Sequence, residues 1–172
     1  NALYLKNLFS DAYLKHKNLA SATRFIANSL FGQHGLVIID GDSRDLKQVF
    51  SPFLKDELLH QISYKEVSKT ISELKKLYKI QVNPREINLF YLEKNSRERI
   101  VFENGIFKII NSDIEFTKDE ILLELEHHPE KFSPNVLLRP LYQEVVLPNL
   151  CYIGGGGEIA YWLQLKYYFD TI

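Results

Sequence analysis

The sequence predicts an α/β fold with a parallel-sheet core, and three observations carry that expectation. The run Leu36-Val37-Ile38-Ile39 is short, uninterrupted and β-branched, and it ends in the acidic turn Asp40-Gly41-Asp42-Ser43, the pattern of a strand buried on both faces. Apolar residues at one-face helical spacing flank it on either side. A second apolar run, Asn149-Leu150-Cys151-Tyr152-Ile153, leads through four glycines into another helical segment.

Taken in order, Leu5, Leu8, Phe9 and Ala12 mark a first amphipathic helix, and Leu19, Ala22, Ile26 and Leu30 a second, stopped by Gly32. After the predicted strand at 36–39, Leu46, Val49 and Phe50 begin another helix. Ser51-Pro52 restarts it as N-cap and first-turn proline, and Val67, Ile71, Leu74 and Tyr78 mark a later one. Residues 44–79 therefore read as helical cover. Segments 89–92, 99–102 and 106–110 are rich in aromatic and β-branched residues, with Asn104-Gly105 suited to a type I′ turn, so a small antiparallel insert is expected there. Thr117 and Glu120 form a capping box for a helix through Ile121, Leu122 and Leu125 that stops before Pro129. Ser133-Pro134 is expected to begin a helix over Val136–Leu138, Pro140 and Pro148 to break the chain after it, and 149–153 to form a final strand.

Composition narrows the function classes. In 172 residues, 45% hydrophobic and 25% charged, there is material for one packed domain or a part of a larger one. Lys plus Arg number 21 against 22 Asp plus Glu, a poor electrostatic basis for holding nucleic acid. A single cysteine forms no internal disulfide, and no apolar run reaches the roughly 18 residues of a membrane span, so a reducing, soluble compartment is expected. The chain lacks methionine, even at position 1, and opens without a secretory signal, while Tyr161–Phe169 is strongly aromatic with no polar tail beyond it. It reads as a piece of a longer protein.

Chemistry concentrates near the C-terminus. Glycines between a strand and a helix let main chain approach a ligand and aim free amides at an anion, so Gly154, Gly155, Gly156 and Gly157 suggest a phosphate or carboxylate cradle. The alternative is a plain tight turn, and Glu158 beside it suits an amine instead. Upstream, Asn135, Arg139, Tyr142, Gln143, Glu144 and Asn149 stand among Leu, Val and Pro. Arg139 suits bidentate carboxylate recognition, and Gln143 and Asn149 suit amide, hydroxyl or purine edges, with capping and solvated faces as the bland alternative. Asp40 lies where ligands sit in open α/β sheets, or else caps the next helix. Arg85 points into a pocket or pairs with a surface acid. No histidine pair has ligand spacing, so no metal site is expected; Cys151 reads as a small hydrophobe within a strand.

The words Ser133-Pro134-Asn135-Val136-Leu137-Leu138-Arg139-Pro140-Leu141-Tyr142-Gln143-Glu144, then Leu147-Pro148-Asn149-Leu150, then Tyr152-Ile153-Gly154-Gly155-Gly156 and 158–166 closely resemble the bacillithiol biosynthesis cysteine-adding enzymes, a family of cysteine ligases. Residues 31–40 and 81–91 add support. The resemblance implies a cytoplasmic bacterial enzyme of thiol metabolism that joins L-cysteine to glucosaminyl-malate through an amide bond. It also implies a Rossmann-like core of nucleotidyltransferase type, ATP or another nucleotide to activate the carboxyl, and a coiled coil that makes a homodimer. On this reading residues 1–79 and 117–172 belong to the core, 80–116 form a connecting insert, and the piece alone is inactive.

The site expected from charge has the amides of Gly154–Gly157 holding a phosphate or carboxylate and Arg139 pairing with a malate or cysteine carboxylate. Glu158 or Glu144 receives an ammonium or amino-sugar nitrogen, with Asp40, Asn135, Gln143, Asn149 and Tyr161 completing the pocket. Two rivals stand beside it: a nucleotidyltransferase-type enzyme of another specificity, and a non-catalytic binding or assembly module built on the aromatic C-terminal segment.

Overall fold

A computed structural model describes residues 2–172 and divides the chain into two compact units, Asn1–Gly41 and Asp42–Ile172. The first holds α1 (Ala2–Lys15) and α2 (Leu19–Phe31), which bury Leu8, Ala12 and Ala22. Asn18 caps α2 by accepting the Ser21 amide at 2.8 Å. Helix α2 ends at Gly32 as expected, a 3-10 turn comes next, and Gly35, at φ +81°, supplies the left-handed stop.

The strand expected at 36–39 does not form: the segment joins no ladder, and Val37 is 67% exposed. A β-branched run becomes a buried strand only when neighbours accept its hydrogen bonds and cover its faces, and no strand lies beside it among the described residues.

In the second unit, α3 (Arg44–His60) runs straight through Pro52 rather than restarting there. Phe50, Leu54 and Leu58 recur every four residues and are buried, so both halves are pinned to one core and the hydrogen bond missing at the proline is outweighed. Helix α4 (Ile62–Leu74) is next, then β1 (Leu89–Glu93), β2 (Ser96–Glu103), β3 (Ile106–Ile109), β4 (Glu115–Phe116), α5 (Lys118–His127) and β5 (Phe132–Pro134). The sheet order is β4-β3-β2-β1-β5 and every pairing is antiparallel. The α/β class holds; β1 to β4 lie in the expected antiparallel insert, and β5 joins their sheet from the stretch expected to be core. Asn104 and Gly105 have φ of 53° and 83°, as a type I′ hairpin requires. Thr117 and Glu120 make both bonds of the capping box, at 3.3 and 2.7 Å.

Alternation sends Leu89, Tyr91, Ile100, Phe107, Ile109 and Phe132 to one face of the sheet, where they pack with the buried stripe of α3, with Val67, Ile121 and Leu125, and with Leu141 and Tyr168. Within this core lies a polar buckle. Glu57, 1% exposed, accepts from the Ser63 amide and hydroxyl at 3.0 and 2.7 Å and from the Asn88 amide at 2.9 Å. Asn88 in turn donates to the Arg85 carbonyl at 2.7 Å and accepts from Asn135 Nδ2 at 2.8 Å.

Three further expectations are corrected. Ser133-Pro134 belongs to β5 and starts no helix, because Asn135 Oδ1 accepts the amides of Leu137 and Leu138 in a local turn. Helix α6 begins at Arg139 and runs to Val146, with Pro140 in its first turn, where a missing N–H is harmless, so Pro140 opens a helix and breaks none. Residues 149–153 form no strand: Leu150 and Ile153 are exposed, and Cys151 lies at the surface and not inside an apolar ladder. The chain ends in α7 (Gly156–Trp162), a 3-10 turn and α8 (Lys166–Thr171). Among the described residues no helix is long and apolar enough to cross a membrane.

Candidate functional site

Helices α6 and α7 bring four of the expected residues together. Arg139 Nη2 donates to Glu158 Oε1 at 2.7 Å and to the Tyr161 hydroxyl at 2.5 Å. Its Nη1 reaches Gln143 Oε1, one helical turn on, at 3.4 Å, and Tyr161 donates to Glu158 at 3.1 Å. The Arg139 and Glu158 side chains remain 42% and 35% exposed, so the group is a half-open surface cluster and not a buried ion pair. The Glu158 carboxyl lies below the ordinary carboxylate range, chiefly because the Tyr152 hydroxyl donates to it, with Tyr161 and Arg139 adding to the effect.

Two members of this cluster escape a sequence reading. Tyr152 reads as a strand residue, yet its ring stacks on Trp162 at 3.9 Å between centroids and 16° between planes. Trp162 stacks in turn on Phe169, and its buried indole N–H has no acceptor among the described residues. The run of aromatics at 161–169 is the only hint of that stack in the sequence.

The glycines divide into two kinds. A Cβ on Gly154 would meet the Tyr152 ring at 2.8 Å and Glu158 Oε2 at 3.3 Å, so that glycine lets the tyrosine and the carboxylate close on one another. A Cβ on Gly155, Gly156 or Gly157 would meet nothing within 4 Å. The amides of Gly156, Gly157 and Glu158 open α7 and find no acceptor among the described residues. Unpaired amides at the start of a helix carry partial positive charge that suits an oxyanion, while Arg139, which reaches the same turn, is engaged by the Glu158 carboxylate.

Other expected residues lie elsewhere. Glu144 and Asn149 form a pair of their own: one carboxylate oxygen takes the Asn149 amide at 2.9 Å and the other its Nδ2 at 2.8 Å, closing the turn after α6. Asn135 is held in the Glu57–Asn88 buckle. Asp40 belongs to the first unit, where its carboxylate lies 3.7 Å from Arg24 Nη2. Tyr142 is buried against Phe50, with ring centroids 5.0 Å apart. Glu57 and Asn88 do not stand out in the sequence; the available signal is a glutamate at the core spacing of Phe50, Leu54 and Leu58.

A family model described as "Bacillithiol biosynthesis BshC, N-terminal Rossmann-like domain" matches residues 1–172. Among curated proteins, "Putative cysteine ligase BshC" of Flavobacterium johnsoniae is 66% identical over 172 residues, covering 100% of this chain and 32% of that protein. Proteins of the same name from Christiangramia forsetii and Shouchella clausii are 54% and 33% identical, over 99% and 94% of this chain and 32% and 31% of their own lengths. The chain thus spans about a third of these relatives.

Proposed function

The chain belongs to the bacillithiol biosynthesis BshC family, with the family's Rossmann-like domain matched along its length, and on that premise we propose that the protein carrying it is a ligase joining the carboxyl of L-cysteine to the amino group of glucosaminyl-malate. The observation that carries the reading to particular atoms is the Arg139–Glu158–Tyr161 cluster. Substrates that meet in this reaction bring carboxylates and an amine, and the cluster offers one group for each.

Arg139 presents a planar fork to a carboxylate of malate or cysteine. Glu158, freed from Arg139 as that carboxylate arrives, takes the amino-sugar ammonium. The Tyr152 and Tyr161 hydroxyls still donate to it and favour its charged form, so its part is to hold and orient the nitrogen as a counter-ion. Tyr161 and Tyr152 keep the carboxylate aimed. Glu144 remains the second acidic candidate, with its Asn149 pairing to be broken first. A nucleotide such as ATP, when bound, supplies the leaving group that activates the cysteine carboxyl, and the amides at Gly155–Gly157 suit one of its oxyanions. In this reading residues 1–79 and 117–172 are core, 80–116 is a connecting insert, and the whole protein works in the cytoplasm as a coiled-coil homodimer.

The test is product analysis on the intact protein with L-cysteine, glucosaminyl-malate and ATP. The reading expects the cysteinyl amide together with ADP or AMP. Nucleotide turnover without amide would favour a nucleotidyltransferase of another specificity.

A further inference from the structure

An open cleft of about 630 Å3 lies on the face of the sheet away from the core, lined by Gln81, Asn83, Arg85, Phe90, Arg97 and Arg99 among others. The strand register puts its charges together. Phe90 on β1 stands opposite Arg99 on β2, and Arg97, two residues earlier on the same strand, points to the same side. Arg85 comes from the loop entering β1.

No lining residue is acidic, and among the described residues none of the three guanidinium groups has a carboxylate partner. Three cations thus line one concavity in a chain of net charge −1, a local concentration of positive charge that favours an anion. One of the three side chains is held in place, and the main chain carrying another is fixed. The Arg97 guanidinium lies 3.8 Å over the Phe90 ring, and its Nη2 donates to Ser133 Oγ at 3.2 Å and to the Pro134 carbonyl at 3.1 Å. The Arg85 main chain is clamped by Asn88 on both sides, its amide donating to Oδ1 at 3.1 Å and its carbonyl accepting from Nδ2 at 2.7 Å. Asn88 is in turn tied to buried Glu57, so the cleft wall is anchored in the core.

We propose that this cleft binds a small molecule bearing two or more oxyanion groups, either phosphates or carboxylates. The volume falls within the range of small-ligand pockets, which is about 300–1,000 Å3. Guanidinium forks match oxygen pairs of either kind, and three of them exceed what one singly charged group needs. None of the three arginines belongs to the Arg139–Glu158 cluster, so the two sites can be altered by separate substitutions.

Titration calorimetry of the intact protein in low-salt buffer tests this, with sodium pyrophosphate as one probe and sodium succinate as the other. At least one anion is expected to bind, and which one tells a phosphate ligand from a dicarboxylate. The double substitution Arg97→Gln with Arg99→Gln, and separately Arg85→Gln, should each weaken it roughly tenfold or more, about the worth of one charge-assisted pair, while Lys94→Gln on the nearby turn leaves it unchanged. Arg85→Gln sits on a loop and serves where the double variant fails to fold. Absence of binding by either anion, or binding unaltered by all the arginine substitutions, overturns the proposal.

Discussion

Glu57 and Asn88 are joined inside the core: the carboxylate, 1% exposed, accepts the Asn88 amide at 2.9 Å and pairs with no cation among the described residues. This one carboxylate ties α3 and α4 to the loop that enters the sheet, because Ser63 and Asn88 both donate to it. Asn88→Ala removes the side-chain bonds to Ser63, Arg85 and Asn135 at once, leaving buried partners unsatisfied. The expected loss is about 2–4 kcal/mol, read from urea unfolding followed by circular dichroism.

The same carboxyl sets a pH dependence. Burial raises the Glu57 pKa above its usual 4.5, although the Ser63 and Asn88 hydrogen bonds oppose that shift. With the folded value above the unfolded one, the native state holds this proton more tightly. The stability it contributes is complete below about pH 4.5 and is lost as pH rises through the folded pKa. In Glu57→Gln the difference in unfolding free energy from wild type should change over that window and then level off. A difference constant from pH 4 to pH 8 would show that Glu57 does not titrate differently on folding.

Pro52 within α3 yields a stabilising substitution. Its ring removes a backbone donor from a helix held together by Phe50, Leu54 and Leu58. Pro52→Ala restores that bond and should raise stability by about 1–2 kcal/mol. Leu54→Ala, by contrast, empties a fully buried site on the same stripe and should lower it by about 2–5 kcal/mol. Thermal unfolding of both variants compares the two effects directly.

The β2–β3 hairpin rests on two positive φ angles. Gly105, at φ +83°, has open space around a would-be Cβ, so Gly105→Ala isolates backbone strain from crowding. It should destabilise by about 1 kcal/mol. Amide exchange in β2 and β3 should rise locally while the helices keep their protection.

Features settled by a few neighbouring residues are legible in the sequence itself. The Thr117–Glu120 box and the Asn104-Gly105 turn each carry their own geometry, and Arg139 stands out as a cation in apolar company. Features that depend on distant partners are not. The runs at 36–39 and 149–153 have the composition of buried strands, but composition cannot supply the neighbour that turns a run into a ladder. Pro52 reads locally as the first turn of a new helix and Pro140 as a breaker, and tertiary burial in one case and position in the first turn in the other reverse those readings. At the candidate site the grouping of Arg139, Gln143, Glu158 and Tyr161 arises from the Arg139 side chain reaching from α6 to α7, and Tyr152 joins it from a segment whose pattern suggests only a strand.

If Arg139 and Glu158 hold the two ends of the condensation, substrate binding to the intact protein reports on both groups. Calorimetry should show Arg139→Ala binding glucosaminyl-malate or L-cysteine at least tenfold more weakly than wild type, as expected for loss of a charge-assisted pair. Glu158→Gln should weaken the amine-bearing sugar while the fold is retained by circular dichroism. Unchanged affinity for both substrates in Arg139→Ala would remove Arg139 from substrate binding and leave the Arg139–Glu158 pair as a fastening between α6 and α7.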